Sequence, residues 1–233
     1  MLPQISKFKG AALDLLFPQK CLGCGKEGFL ICPDCQKSLA RIIPPVCPRC
    51  GRPQPSGIIC FHCVNWQNGI DGIRSPFRFD GLVRQAIHQL KYKNLRSLSG
   101  PMAAILKDYL LQNPLPAEIL VPVPLHRKRL RERGYNQSEL LARELGKMTG
   151  IPVASDILVR VKHMLPQAKT RSVEERRENV QQAFECTGSR QQKKQILLID
   201  DVFTSGATLE ACALALKSGG ATSVWGLVLA CEI

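Results

Sequence analysis

From Gly72 onward the apolar residues fall into short runs separated by stretches of helical spacing. Gly72 to Phe79 reads as a short strand that turns at Asp80-Gly81. Leu82, Val83, Ala86, Ile87 and Leu90 share one helical face, so a helix is predicted over 82–92, and Met102 to Leu111 repeats the pattern. Ile119 to Val123 is a buried-type strand ended by prolines. Asn136 to Met148 is helical, with its stop at Gly150-Ile151-Pro152. Ile157 to Val161 reads as a strand, and Lys162 to Asn179 is polar with no clear core face. Gln195 to Ile199 is an apolar strand, Ala207 to Lys217 a helix followed by Gly219-Gly220, and Thr222 to Ala230 a last strand. Strands alternating with helices predict an α/β fold with a mainly parallel sheet flanked by helices.

The N-terminal part is different. Met1 to Phe17 is mildly amphipathic, with Leu2, Ile5, Phe8, Ala12, Leu15 and Leu16 near helical spacing. It lacks the long apolar region and cleavage site of a signal peptide. A helix docked on its own protein is the first reading, and contact with a membrane surface the second. Eight of the eleven cysteines then lie between 21 and 63, among prolines 18, 33, 44, 45, 48, 53 and 55. A loop-rich stretch this poor in apolar residues cannot build a core and needs a staple. The composition changes near residue 66, which predicts a module over 1–66 and a second domain over 67–233.

The staple is legible in the spacing. Cys21/Cys24, Cys32/Cys35, Cys47/Cys50 and Cys60/Cys63 are four C-x-x-C pairs. Each pair can present two sulfurs to one ion, and two pairs complete a tetrahedral thiolate site suited to zinc. Disulfides would require export, and a redox C-x-x-C occurs once rather than four times. Two structural Zn²⁺ ions are therefore predicted. Sequential pairing (21/24/32/35 and 47/50/60/63) and interleaved pairing are both open. His62 reads as a solvent-facing residue. Cys212 and Cys231 read as small core residues.

A hydrophobic content of 45% excludes general disorder. No apolar stretch approaches the ~20 residues that a membrane span needs. The formal charge of +13 points to polyanionic partners without choosing among them. Each zinc tetrathiolate is a net dianion, so the positive surface belongs mainly to the C-terminal domain.

One segment carries more specific chemistry: Ile196-Leu197-Leu198-Ile199-Asp200-Asp201-Val202-Phe203-Thr204-Ser205-Gly206-Ala207-Thr208. An apolar strand delivers two acids, a short polar loop follows, and a helix starts. Loop amides and the Thr204, Ser205 and Thr208 hydroxyls can wrap a phosphate, and the helix N-terminus adds its dipole. Helix capping explains one or two of these residues, but not two acids followed by T-S-G-A-T. The segment resembles the signature of type I phosphoribosyltransferases. That resemblance implies that Asp200 and Asp201 contact ribose hydroxyls, and that Thr204, Ser205, Gly206, Ala207 and Thr208 hold the 5-phosphate of phosphoribosyl diphosphate.

A second polar cluster runs from Val121-Pro122-Val123-Pro124-Leu125-His126 through Arg127, Lys128, Arg129, Arg131 and Arg133 to Gly134-Tyr135-Asn136-Gln137. Cations on a proline-stiffened strand exit can cradle a diphosphate. Nucleic-acid contact or a solvated basic face are the competing readings. Taken together, the C-x-x-C pairs, V-P-V-P-L-H, R-G-Y-N-Q, the charged loop with Arg171, Arg176, Arg177 and Asn179, and D-D-V-F-T-S-G-A-T resemble the ComF family over residues 20 to 230.

The ComF resemblance implies a type I phosphoribosyltransferase-like domain behind a small double zinc ribbon. It also implies a cytoplasmic role in DNA uptake during natural transformation, at the inner face of the membrane, with single-stranded DNA and a helicase-like motor as partners. If such a protein transfers ribose 5-phosphate, Mg²⁺ accompanies the phosphoribosyl diphosphate and neutralises leaving-group charge. Asp200 and Asp201 then orient the sugar, and Arg127 and Arg129 sit at the diphosphate. Lys169 to Asn179 closes over the site and brings Arg171 and Arg176 to the leaving group. Three readings stand side by side: an active phosphoribosyltransferase, a ligand sensor without turnover, and a DNA-handling protein whose basic surface matters more than its cleft.

Overall fold

The computed structural model describes residues 18–64, 66, 69–161 and 183–233. The predicted N-terminal helix over 1–17 and the charged loop over 162–179 lie outside these residues. The chain packs as two compact units, Met1–Leu39 and Ala40–Ile233. The composition changes at residue 66, but the packing divides earlier. Cys47 to Cys63 belong to the same unit as the α/β sheet.

Backbone turns shape the described part of the smaller unit, in which Cys21, Leu30, Cys32 and Leu39 are buried. Gly25 N–H closes a turn on Cys21 O at 2.8 Å, and Gln36 N–H closes another on Cys32 O at 2.9 Å. A short helix α1 (Pro33–Lys37) starts at an extended Cys32 and has no buried residue.

The larger unit begins with the second cysteine region, which contains α2 (Phe61–Val64). Two short strands follow, β1 (Gly72–Arg74) and β2 (Phe77–Arg78). Sequence periodicity predicts one strand over 72–79. Pro76 interrupts it because proline has no N–H for the ladder, and Ser75 Oγ donates to Phe77 O at 3.0 Å across the break. Helix α3 (Gly81–Tyr92) is capped by Asp80, whose Oδ1 accepts from Gly81 N–H at 2.7 Å. A 3₁₀ turn (Arg96–Leu98) leads into α4 (Ser99–Gln112). Strand β3 (Ile119–Pro122) precedes α5 (Arg127–Arg133) and α6 (Gln137–Thr149). Strands β4 (Leu158–Arg160) and β5 (Phe184–Cys186) form an antiparallel ribbon. The chain ends with β6 (Gln195–Phe203), α7 (Ala207–Ser218) and β7 (Ser223–Cys231).

Among the described residues the main sheet has five strands, in the order β1-β7-β6-β3 with β2 also on β7, and every pairing is parallel. The α/β class expected from the alternation is the one observed. Ile196, Leu197, Leu198 and Ile199 are fully buried, as residues on both faces of a covered central strand must be. Strand β6 runs four residues past the predicted end at Ile199. Val202 and Phe203 continue the ladder opposite Ala230 and Cys231. The acidic pair therefore sits inside the strand rather than beyond it.

Helix α5 was not legible as a helix. Leu130 is its only apolar residue and is exposed. The helix is defined by its ends, since His126 Nδ1 accepts from Lys128 N–H at 3.1 Å and the chain stops at Gly134. Cys212 and Cys231 are buried in the core, and His62 is exposed, as predicted.

Candidate functional site

The cysteines resolve into two clusters, Cys21/Cys24/Cys32/Cys35 and Cys47/Cys50/Cys60/Cys63. Within each, one sulfur per residue lies within 4.8 Å of the others. The pairing is sequential. Backbone amides point at the sulfurs: Cys32 N–H reaches Cys21 Sγ at 3.3 Å, and Cys60 N–H reaches Cys47 Sγ at 3.4 Å.

The electrostatics fit a divalent cation. Burial works against a thiolate at Cys21, but amides of Cys32, Cys24 and Gly23 outweigh it and bring the thiol down to about 6. At Cys47 burial is likewise outweighed, by amides of Cys50, Cys60 and Arg49, and the thiol falls to about 7. Cys35 and Cys50 resist ionisation. Hydrogen bonds to Cys24 and Cys32 push Cys35 up to about 12, and burial pushes Cys50 up to about 12. A cation at the centre overcomes this resistance, and four soft sulfurs at tetrahedral spacing select zinc. The two clusters fit two structural zinc ions, with no ligand position left open for chemistry.

The second site lies at the carboxyl end of β6, the edge where parallel α/β sheets hold ligands. A cleft of about 330 Å³ is lined there by Lys91, Ser138, Asp200, Asp201, Thr204 and Thr208, among others. Asp201 is 2% exposed and pairs with the Lys91 ammonium. Gln137 Nε2 donates to Asp201 Oδ1 at 3.2 Å, and Ser138 Oγ donates to Asp200 Oδ1 at 2.7 Å. Both donors stand at the start of α6. Asn136 fixes that turn by accepting from Ser138 N–H at 3.0 Å while its amide donates to Val123 O at 2.9 Å. Burial, and then the Asp201 charge, pushes the Asp200 carboxyl up to about 7, against the Ser138 hydrogen bond and the Lys91 charge. The pair is therefore short of positive charge and hydrogen-bond donors. Hydroxyls arriving at this edge would supply donors, and a metal ion would supply positive charge.

The loop after β6 brings Thr204 and Thr208 to the cleft, while Ser205 and Ala207 are exposed beside it. Helix α7 begins at Ala207, so the positive end of its dipole lies at the loop. Gly206 has φ +83°, and a Cβ there would lie 2.7 Å from Trp66 Cζ2 and 2.8 Å from Phe203 Cε2. The close approach that requires glycine is thus by two aromatic rings.

The proposed diphosphate cations are placed differently. Arg127 and Arg129 are both exposed on α5. Arg129 lines an adjoining cavity of about 420 Å³ with Lys91, Tyr92, Arg133 and Tyr135, and Lys91 borders both spaces. Arg171 and Arg176 lie outside the described residues.

Sequence reasoning missed Lys91 and Ser138. Each is a single polar residue on a helix whose relevance appears only when the sheet places it opposite the acids. Gln137 was noted only as part of a motif, with no partner assigned. Among the described residues, no helix is long and apolar enough to cross a membrane.

A model of the double zinc ribbon domain matches residues 12–64. Competence protein F of Haemophilus influenzae is 30% identical over 233 residues, covering 92% of this chain and 98% of its own. Competence protein ComFC of Bacillus subtilis is 28% identical over 207 residues, covering 85% and 83%. The DNA utilization protein YhgH of Salmonella typhi is 30% identical over 207 residues, covering 84% and 89%. Among solved structures, glutamine phosphoribosylpyrophosphate amidotransferase from B. subtilis aligns over 56% of this chain and 26% of its own, at 18% identity and a TM-score of 0.41. The purine phosphoribosyltransferase from Pyrococcus horikoshii aligns over 53% and 66%, at 20% identity and a TM-score of 0.32.

Proposed function

Because this chain belongs to the ComF family of competence proteins, we propose that it acts in DNA uptake and binds phosphoribosyl diphosphate with Mg²⁺ in the cleft at the end of β6. The observation that carries the ligand reading is the acidic pair, half-buried Asp200 and buried Asp201, beside a Thr204–Thr208 loop that opens a helix. The acids accept from ribose hydroxyls, and the loop holds the 5-phosphate. When bound, Mg²⁺ neutralises diphosphate charge. Lys91 and Ser138 keep the acids oriented. We assign Arg129, which lines the adjoining cavity, to the diphosphate end, and Arg127 on the same helix adds long-range attraction. Arg171 and Arg176 stay candidates for leaving-group contacts, which makes transfer to an acceptor the active form of this reading.

The relatives' names support the cellular part. Two are competence proteins and one is a DNA utilization protein. A cytoplasmic location and a helicase-like partner belong to the same proposal.

A second reading, single-stranded DNA handling without turnover, is favoured by α5 itself. Arg127, Lys128, Arg129, Arg131 and Arg133 occupy a seven-residue helix, and Tyr92 is exposed nearby with Arg133 over its ring at 5.3 Å. Salt-dependent strand binding weakened by changes on α5 is its signature.

The test of the proposal is complementation. A transformation-deficient deletion strain receives the wild-type gene or the Asp200→Asn/Asp201→Asn double variant. Restoration by the wild type alone supports a role for the cleft. Equal restoration by both overturns that role and leaves the strand-handling reading.

A further inference from the structure

The second cysteine cluster shares a compact unit with the cleft, and a residue that follows each of its knuckles, Arg52 or Trp66, reaches the end of β6 and the loop after it. The first knuckle, Cys47 to Cys50, is closed by Cys47 N–H donating to Arg52 O at 2.8 Å. The side chain of that same Arg52 leaves the knuckle and caps the sheet edge. Its Nη2 donates to Thr204 O, its Nε donates to Glu232 O at 3.1 Å, and its guanidinium lies 4.5 Å from the Phe203 ring centroid. Thr204 and Glu232 both line the cleft.

The other knuckle, Cys60 to Cys63, approaches through Trp66. Trp66 N–H donates to Cys63 O at 3.2 Å, and its ring stands edge-on to Phe203 at 6.2 Å and blocks any side chain at Gly206. Arg49 links the two knuckles by donating to Cys63 O at 3.0 Å and Trp66 O at 3.5 Å. Gly51 completes the fit, since a Cβ there would lie 2.7 Å from Ile73 O on the edge strand.

We infer that the second Cys₄ cluster braces the ligand loop: Arg52 and Trp66 set the position of Thr204 to Gly206, so metal loading of this cluster controls ligand affinity. Arg52 is the positioning residue. It stands outside the cleft lining given above and acts through the carbonyls of Thr204 and Glu232. One ion bound by all four sulfurs would tie the Cys47–Cys50 knuckle to the Cys60–Cys63 knuckle, and its loss removes that tie and lets the knuckles separate. Separation withdraws Arg52 from one side of the loop and Trp66 from the other. Linkage makes the effect reciprocal, so a ligand that binds the braced loop must raise the zinc affinity of the cluster. The inference rests on the reading of this loop as the phosphate site.

The experiment uses zinc-loaded full-length protein, phosphoribosyl diphosphate with Mg²⁺ as probe, and a competing chromogenic chelator to read zinc affinity. In the wild type, the probe should tighten binding of one of the two ions against the competing chelator about five- to fifty-fold, a usual size for coupling between sites. Arg52→Met should bind the probe more weakly by a similar factor and give up both ions to the chelator as it does without probe. Arg52→Lys, which keeps the charge but cannot reach both carbonyls, should fall between. A purely structural Arg52 would lower the melting temperature but leave the affinity and zinc coupling of the folded protein intact. Arg52→Met also corrects for zinc taken up by the probe in solution. Wild-type zinc affinity indifferent to a probe that binds overturns the brace, as does wild-type probe affinity in Arg52→Met. A wild-type protein that binds no probe overturns the phosphate-loop reading and this inference with it.

Discussion

Replacing Asp200 by Asn removes one of two adjacent acids at a buried sheet edge, and the structure fixes how the effect should depend on pH. In the folded chain the Asp200 carboxyl is held up to about 7 from a reference of 3.8, by burial and then by the Asp201 charge. The unfolded chain ionises Asp200 above about 4, whereas the folded chain retains the proton to about 7. The unfolded state therefore binds fewer protons across this window, and the wild type loses stability as pH rises through it. Each pH unit inside the window is worth about 1.4 kcal/mol, so pH 5 to pH 7 spans at most about 3 kcal/mol. Asparagine does not ionise and escapes the loss. Its carbonyl can still accept from Ser138 Oγ, but its amide adds buried donors where the carboxylate had none, an offset of about 1–3 kcal/mol. The variant should therefore be close to the wild type or less stable at pH 5, and should gain on it by about 2–3 kcal/mol at pH 7 and above. In melting temperature this corresponds to about 2–4 °C per kcal/mol at this chain length. Paired urea melts of both zinc-loaded proteins across pH 5–8 measure it. A stability difference that stays flat with pH refutes the claim that Asp200 is ionised against its environment.

Other outcomes follow from the same geometry. Gly206→Ala combines φ +83° with a Cβ 2.7 Å from Trp66 Cζ2, so it should cost about 2–4 kcal/mol in urea melts and shift tryptophan emission. Lys91→Met leaves the buried Asp201 carboxylate without its cation and should destabilise the fold by about 2–4 kcal/mol, read by the same melts. Cys24→Ser breaks only the first cluster, so native mass spectrometry should show one zinc instead of two. Loss of both ions from that variant would contradict sequential pairing.

The parts of this protein visible in its sequence are those governed by local pattern. Strands β3, β6 and β7 announce themselves as apolar runs, α3 and α6 as helical faces, and the two Cys₄ clusters as repeated C-x-x-C. The acidic pair and the T-S-G-A-T loop could be found because strand, acids, loop and helix are contiguous. What escaped is held by ends or by distance. Helix α5 has no apolar face, β5 is three residues long and exists through its partner β4, and Pro76 divides a strand that alternation alone joins. The environment of the acids draws Lys91 from α3 and Ser138 from α6. The Arg52 contact with Thr204 joins residues 152 apart in sequence. No periodicity encodes such pairings, because they arise only when the parallel sheet brings strand ends to one edge. Composition also changes at 66 while the packing divides after Leu39, because the second cluster folds onto the sheet rather than with the first.

The most direct measurement is calorimetric titration of the zinc-loaded protein with phosphoribosyl diphosphate, with and without Mg²⁺, beside the Asp200→Asn/Asp201→Asn variant. Binding that needs Mg²⁺ and vanishes in the variant is the predicted result. Absence of binding by folded, zinc-loaded wild type, or undiminished binding by the variant, would contradict the assignment of the cleft at the end of β6.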